Sequence, residues 1–281
     1  MSPAPHEDLV LLRTEAGDAA TISLHGAQVL SWRPAGAEEQ MYRSPLSVPT
    51  AGKSVRGGVP VCFPQFSDRG PLPKHGFVRT NHWELVEAPM PRGEVAEAHF
   101  QVDSAMLPTA WDHAFCLVLV VRLGHGWLEL QLQAANTGRT PYTFSAALHT
   151  YLAVHDVRTA SITGLRGLQY EDALDGNALK RDDAPALTFP GELDRVYRDV
   201  MQALRLSGGG MPERRVVQQG FSDAVLWNPG AAKAARLGDM PPEDWLRMVC
   251  IEAAVVARPV TLGPGKTWRG TQRLELGSLS A

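Results

Sequence analysis

Turn-forming residues interrupt this chain too often for long helices. Its 281 residues include 26 glycines and 21 prolines, which fall between short apolar or alternating runs. Glycine reaches left-handed backbone freely and proline removes a ladder donor, so this punctuation suits many short strands with tight connections. Leu9–Leu12 and Ala20–Leu24 read as strands about a turn at Gly17-Asp18, with Val29–Trp32 following. Glu97–Val102 alternates, and Phe115–Leu123 with Trp127–Ala135 reads as a hairpin about Gly124-His125-Gly126. Thr143–Val154 is another strand, Met248–Ala257 an apolar buried one, and Thr271–Leu276 the last. Pro241–Leu246 offers a short helix start. No repeat or linker divides the chain. The expectation is an all-β protein, a large antiparallel β-sandwich with few short helices, as a single domain over residues 1–281.

Hydrophobic residues make up 44% and charged residues 20%, enough for a sizeable core. Net charge is −3 with scattered Lys and Arg, which excludes a nucleic-acid footprint and a basic membrane surface. Cys62, Cys116 and Cys250 are odd in number and widely spaced, with no C-x-x-C, so neither a disulfide framework nor a cysteine zinc site is expected. Residues Met1–Asp8 lack the basic and apolar regions of a signal peptide. The longest apolar run, Ala114–Val121, falls short of the roughly 20 residues a membrane helix needs. A cytoplasmic protein with no nucleic-acid or membrane partner is expected.

Three places carry candidate chemistry. Glu252 lies inside the apolar run Met248–Val256, where strand periodicity gives it one face with Met248, Cys250 and Ala254. A carboxylate there is costly to bury unless hydrogen-bonded or used, so it is a candidate general base. A structural carboxylate paired with a buried Arg or His is the alternative. His149 falls with Ala147 and Tyr151 on the face opposite Leu148, Leu152 and Val154. Histidine is the usual acid near neutral pH, although a satisfied core histidine is the commoner state of a lone one. Arg56-Gly57-Gly58 puts a fixed cation beside permissive backbone, and Lys74-His75-Gly76-Phe77-Val78-Arg79 follows. In extended chain His75, Phe77 and Arg79 share a face, and two arginines with an intervening His can clamp a phosphate and a sugar hydroxyl. Either segment alone reads more simply as a surface loop with ordinary salt bridges.

Other motifs fail. Gly265-Lys266-Thr267 has Val260 where a phosphate loop needs its first glycine. No H-E-x-x-H or i, i+4 histidine pair occurs, so no metal site is expected. No G-x-S-x-G is present either.

Taken in order, several segments resemble the hexose-6-phosphate mutarotases (glucose-6-phosphate 1-epimerases) of the aldose 1-epimerase superfamily. They are Arg56–Pro64, His75–Arg79, Ala147–Leu152, Gly167–Asp172, Asp194–Tyr197, Trp227–Pro229, Met248–Glu252 and Leu262–Gly265. The resemblance spans roughly residues 20–275. It implies a galactose mutarotase-like supersandwich with an open sugar cleft and no metal or organic cofactor. It implies His149 as general acid at the ring oxygen and Glu252 as general base at the anomeric hydroxyl. It implies Arg56 and Arg79 as phosphate contacts, with His75 and Asp194 near the substrate. The position before that histidine, often Gln in the family, is Lys74 here, a residue that favours an anion. The expected partner is a small sugar phosphate bound by a monomer. A mutarotase of neutral aldoses and a non-catalytic carbohydrate-binding protein on the same fold are the alternatives.

Overall fold

The computed structural model describes residues 9–92, 94–107 and 111–277. The N-terminal segment 1–8, read above as no signal peptide, lies outside the described residues. The architecture is antiparallel β throughout its three sheets. A small sheet joins Leu9–Arg13, Ala19–Ser23 and Gln28–Arg33. A nine-stranded sheet is centred on the hairpin Phe115–Gly124 and Trp127–Asn136, with Thr267–Leu276 beside it. An eight-stranded sheet is centred on Met248–Leu262, flanked by Tyr142–Leu148 and Tyr151–Ala153 on one side and by Asp223–Asn228 then Leu193–Tyr197 on the other.

Strict alternation explains the large sheet. Leu128, Leu130, Leu132 and Ala134 point inward from Trp127–Asn136, while the residues between them are half-exposed. Across the core the odd positions Val249, Ile251, Ala253 and Val255 of Met248–Leu262 join the same apolar cluster. Its even positions face the other way: Cys250 and Met248 pack with Tyr42 and Tyr151, and Ala254 and Val256 with Cys62, Phe66 and Val225. The expected shared face of Met248, Cys250, Glu252 and Ala254 is therefore observed, and it lies on the far side of the sheet from the main core.

Several details differ from the sequence reading. Met248–Leu262 runs five residues beyond Ala257, through Arg258 and Pro259. Its pairing with Tyr142–Leu148 shifts register between Val255 and Val260, which takes the proline out of the ladder. The Asp223 carboxylate accepts the freed Val256 and Ala257 N–H groups, each at 2.8 Å. Thr143–Val154 is broken at His149-Thr150, where His149 N–H turns to the Pro60 carbonyl at 2.9 Å. The segment around Phe77 is not extended: Val78–Thr80 forms a 3-10 turn, and Phe77 packs into the main core. The short helix expected near Pro241 is a 3-10 helix over Pro242–Arg247, and one more helix, Gly230–Ala234, was not foreseen.

Gly76 fixes how this last loop meets the sheet. Its φ is +72°, and a Cβ there would lie 1.9 Å from the Phe63 carbonyl oxygen, which accepts Phe77 N–H. Gly76→Ala is expected to cost at least about 1 kcal/mol, read as a lower urea midpoint with unchanged m.

Candidate active site

Register brings the site together. Leu148 pairs with Ala253 and Tyr151 with Cys250, which sets His149 across from Glu252 on neighbouring strands. Glu252 is in turn paired with Val225, and that with Val196. The adjacent row on this face runs Tyr151, Cys250, Trp227, Asp194. Paired residues of an antiparallel ladder point the same way, so these strands and the break at His149 deliver imidazole, carboxyl and aromatic groups to one surface.

That surface is the floor of a cavity of about 180 Å³ lined by His149, Tyr151, Glu252, Asp194 and Trp227. Its walls include Arg56, Lys74, His75 and Arg79. A cleft beside His125, Trp127 and Arg273 is roomier, at about 520 Å³, but the buried carboxylate next to its histidine, Asp18, already accepts hydrogen bonds from Thr14, Ala35 and Gly126. The convergence of groups, not the space, picks out the smaller cavity. All seven residues singled out in the sequence reach it.

The His149 Nδ1 and a Glu252 carboxylate oxygen are 3.4 Å apart. Both side chains are buried, at 7% and 1% exposure, and His149 Nδ1 and the other Glu252 oxygen have no hydrogen-bond partner in the protein. Buried polar atoms left unpaired in this way are free for a ligand. Burial first, and then the neighbouring His75, Arg79 and Arg56, hold the His149 imidazole well below its ordinary range. Burial first, and then the Asp194 carboxylate, push Glu252 well above its own, with Arg79 acting the other way. Both shifts favour the uncharged imidazole and the uncharged carboxyl group in the free protein.

His75 is fixed by its neighbours. Its φ is +63°, which turns the side chain into the cavity although Phe77 points to the core. The Ser67 backbone N–H donates to its Nδ1 at 3.3 Å, and the Cys62 thiol lies 3.4 Å from the same nitrogen. A backbone N–H cannot accept, so Nδ1 is the lone-pair nitrogen and Nε2 carries the hydrogen. Burial, then Arg79, Lys74 and Arg56, take this imidazole down to about 2, and burial takes the Cys62 thiol up to about 12, so both stay neutral.

Arg56 donates from Nε to Asp239 at 2.8 Å and from Nη1 to the Tyr151 hydroxyl at 3.3 Å. Burial opposes its charge, but Tyr151 and Asp239 more than compensate. Arg79 donates from Nη2 to the Lys74 carbonyl at 3.0 Å, and its buried Nε has no protein partner. Lys74 itself is exposed and lies 3.2 Å from Asp68. Asp194 is pushed up by burial.

The sequence reading missed Tyr151, whose ring stacks on His149 at 4.8 Å and 6°, and Trp227, edge-on to both. Tyr151 was accessible by strand periodicity, two residues from His149. Trp227, Lys233 and Asp239 gave no local signal, because their place depends on which strands and loops meet. One group of potential metal ligands exists among the described residues, His149, Cys250 and Glu252, with atoms within 4.8 Å of one another. Burial pushes the Cys250 thiol well above its ordinary range. A thiol binds a cation as thiolate, so a metal ion held by this group would have to displace that proton.

A sequence profile of the aldose 1-epimerase family matches residues 8–275. The chain belongs to the aldose 1-epimerase family. It is 33% identical over 270 residues to a Cenchrus ciliaris protein provisionally described as a glucose-6-phosphate 1-epimerase, covering 93% of this chain and 82% of that one. An Escherichia coli K12 protein with the same provisional description is 32% identical over 240 residues, covering 84% and 79%. The crystal structure of YeaD from Salmonella typhimurium, provisionally described as a mutarotase, superimposes with a TM-score of 0.88 at 28% identity, over 98% of this chain and 92% of that one. The Slr1438 protein from Synechocystis shares the fold, with a TM-score of 0.80 at 19% identity over 99% and 98%. The fold of this aldose 1-epimerase family member is thus the mutarotase-like β-sandwich.

The neutral His75 has a measurable consequence. Below about 6.5 the unfolded chain binds a proton there, whereas the folded chain refuses it until about 2. Stability contributed by this group is therefore lost as pH falls through that window, by up to about 1.4 kcal/mol per pH unit. Denaturant titrations between pH 6.5 and 4 are expected to show a shallower decline for His75→Asn than for the native protein.

Proposed function

We propose that this chain interconverts the α and β anomers of a hexose 6-phosphate, glucose 6-phosphate foremost, as a single-domain cytoplasmic monomer. The observation that carries the reading is one cavity holding both a cross-strand His149–Glu252 pair, 3.4 Å apart, and two arginines. A cyclic hemiacetal opens when O1 loses a proton and the ring oxygen O5 gains one. Glu252 takes the first proton and His149 gives the second. The C1 aldehyde then rotates about C1–C2. On closure to the other face Glu252 returns a proton to O1 and His149 recovers one from O5. Arg56 and Arg79 hold the phosphate, while Asp194 and the Nε2–H of His75 meet sugar oxygens. Lys74 adds positive charge at the rim.

The directions in which burial and nearby charges shift the pair fit the middle of this cycle. A neutral His149 and a protonated Glu252 are the states that face the open aldehyde, so the site is electrostatically matched to the high-energy species. The provisional descriptions of the plant and bacterial relatives support a sugar phosphate as substrate.

The decisive measurement is NMR exchange between anomers of glucose 6-phosphate and of glucose. Glucose 6-phosphate is expected to be the better substrate; equal turnover of the two would favour the neutral-sugar reading. Glu252→Gln is expected to lower exchange by at least about 10²-fold while binding persists, and unchanged exchange would exclude the mechanism. Because the working pair carries one proton, kcat/KM is expected to fall on both sides of an optimum once the substrate's own ionisation is accounted for. The directions of the shifts put the acid limb below 6.5 and the alkaline limb above 4.5.

A further inference from the structure

The two arginines of the cavity are held very differently. Arg79 donates from Nη2 to the Lys74 carbonyl, while its buried Nε is unpaired. Arg56 is tied along its whole length. Its backbone N–H donates to the Ser47 hydroxyl at 2.7 Å, and its carbonyl accepts the Ser44 N–H at 3.0 Å. Its Nε donates to Asp239 Oδ1 at 2.8 Å and its Nη1 to the Tyr151 hydroxyl at 3.3 Å. Asp239 also lines the cavity, and its side chain is 41% exposed. A carboxylate in that place works against an anionic ligand through its charge, so it needs a compensating role.

We infer that Asp239 is a positioning residue for the phosphate anchor: with the Tyr151 hydroxyl, its carboxylate fixes the Arg56 guanidinium so that the Nη1–Nη2 edge stands ready for the substrate's phosphate. The inference rests on the mutarotase reading above, in which Arg56 holds that phosphate. The donor inventory supports a holder rather than a competitor. A guanidinium has five N–H groups on a planar fork and can meet an oxyanion along its Nε–Nη2 side or its Nη1–Nη2 end. Asp239 takes Nε, and Tyr151 takes one hydrogen of Nη1. Both hydrogens of Nη2 and the second of Nη1 are left, so a phosphate can bond end-on without displacing Asp239.

Asp239 is itself firmly placed. The next residue, Met240, is buried in a cluster with Tyr42, Tyr151, Met248 and Cys250, and Leu237 packs against the same cluster. One apolar cluster therefore supports both acceptors of Arg56, the Tyr151 ring and the backbone that carries Asp239. The segment is also tied on either side. Lys233 pairs with Glu192 at 2.8 Å, and Asp244 accepts from the Tyr42 hydroxyl at 2.7 Å. A long flexible side chain loses rotamer freedom when a ligand orders it, and a guanidinium already held does not. The same Tyr151 ring stacks on His149 at 4.8 Å, so the brace on Arg56 also sets where the anchor stands relative to the imidazole.

The test sets affinity against turnover. Calorimetry gives the dissociation constant of glucose 6-phosphate, and NMR exchange gives kcat. Asp239→Ala is expected to weaken binding about three- to tenfold, the effect of ordering one freed side chain, with kcat nearly unchanged. Asp239→Asn keeps an acceptor oxygen and is expected to recover most of that loss. In an Arg56→Ala background, Asp239→Ala is expected to weaken binding no further. Binding by Asp239→Ala as tight as native, or tighter, overturns the inference, because the carboxylate then competes with the phosphate. A fall in kcat as large as the loss of affinity, or an equal loss in the Arg56→Ala background, overturns it too, because Asp239 then acts on the fold at large. If the native protein binds glucose 6-phosphate without interconverting its anomers, the mutarotase reading fails alone, and the dissociation constants still decide the role of Asp239.

Discussion

The placement of an imidazole directly opposite a carboxylate, on the outer face of a sheet buried on both sides, is the constraint on which this structure turns. His149 and Glu252 belong to strands that neighbour each other in space but lie about a hundred residues apart in the chain. Side chains repeat every second residue along a strand, so a slip of one position would send Glu252 into the main core with Ile251 and Ala253. Much of the fold guards that register. The Val255–Val260 bulge, held by Asp223, absorbs Pro259 without disturbing the pairing upstream. Thr150 donates to Gln272 at 2.5 Å, and Gln272 donates on to the Ile251 carbonyl at 2.9 Å, so the break beside His149 is itself bonded to the opposite sheet.

Burial then sets the chemistry. Withdrawn from water, both groups favour their neutral forms, and the surrounding charges reinforce this: arginines beside the imidazole, Asp194 beside the carboxyl. A pair held neutral but unpaired costs folding free energy, because His149 Nδ1 and a Glu252 oxygen lack protein partners. Such a cost is typical where polar atoms are kept ready for a ligand. The loop carrying His75 shows the same economy. Ser67 and Cys62 hold one ring nitrogen, which leaves the other as a donor of known sense.

Much of this was legible beforehand. Alternation marked the hairpin Phe115–Gly124 and Trp127–Asn136 and the buried strand at Met248. A carboxylate inside an apolar run flagged Glu252, and the order of motifs along the chain pointed to the aldose 1-epimerases before any coordinates. The failures have a common origin. Phe77 was grouped with His75 and Arg79 on the assumption of extended chain, but positive φ at His75 and Gly76 reverses the path there. The strand at Met248 was read as ending at Ala257 because a one-dimensional reading does not show the bulge that carries Pro259. The directions in which the pair's proton affinities shift were not legible, because local sequence does not reveal the depth of burial or the charges brought in by other segments.

The sequence by itself determined the class of fold, since turn residues and twofold periodicity act over a few residues, and it determined which side chains were chemically out of place. Only the tertiary structure decided that His149 faces Glu252, that Tyr151 stacks on the imidazole and reaches Arg56, and that Trp227 and Asp194 complete the same row. Strand pairing and loop closure are long-range contacts, and both proton affinity and ligand fit are properties of the enclosed volume those contacts create.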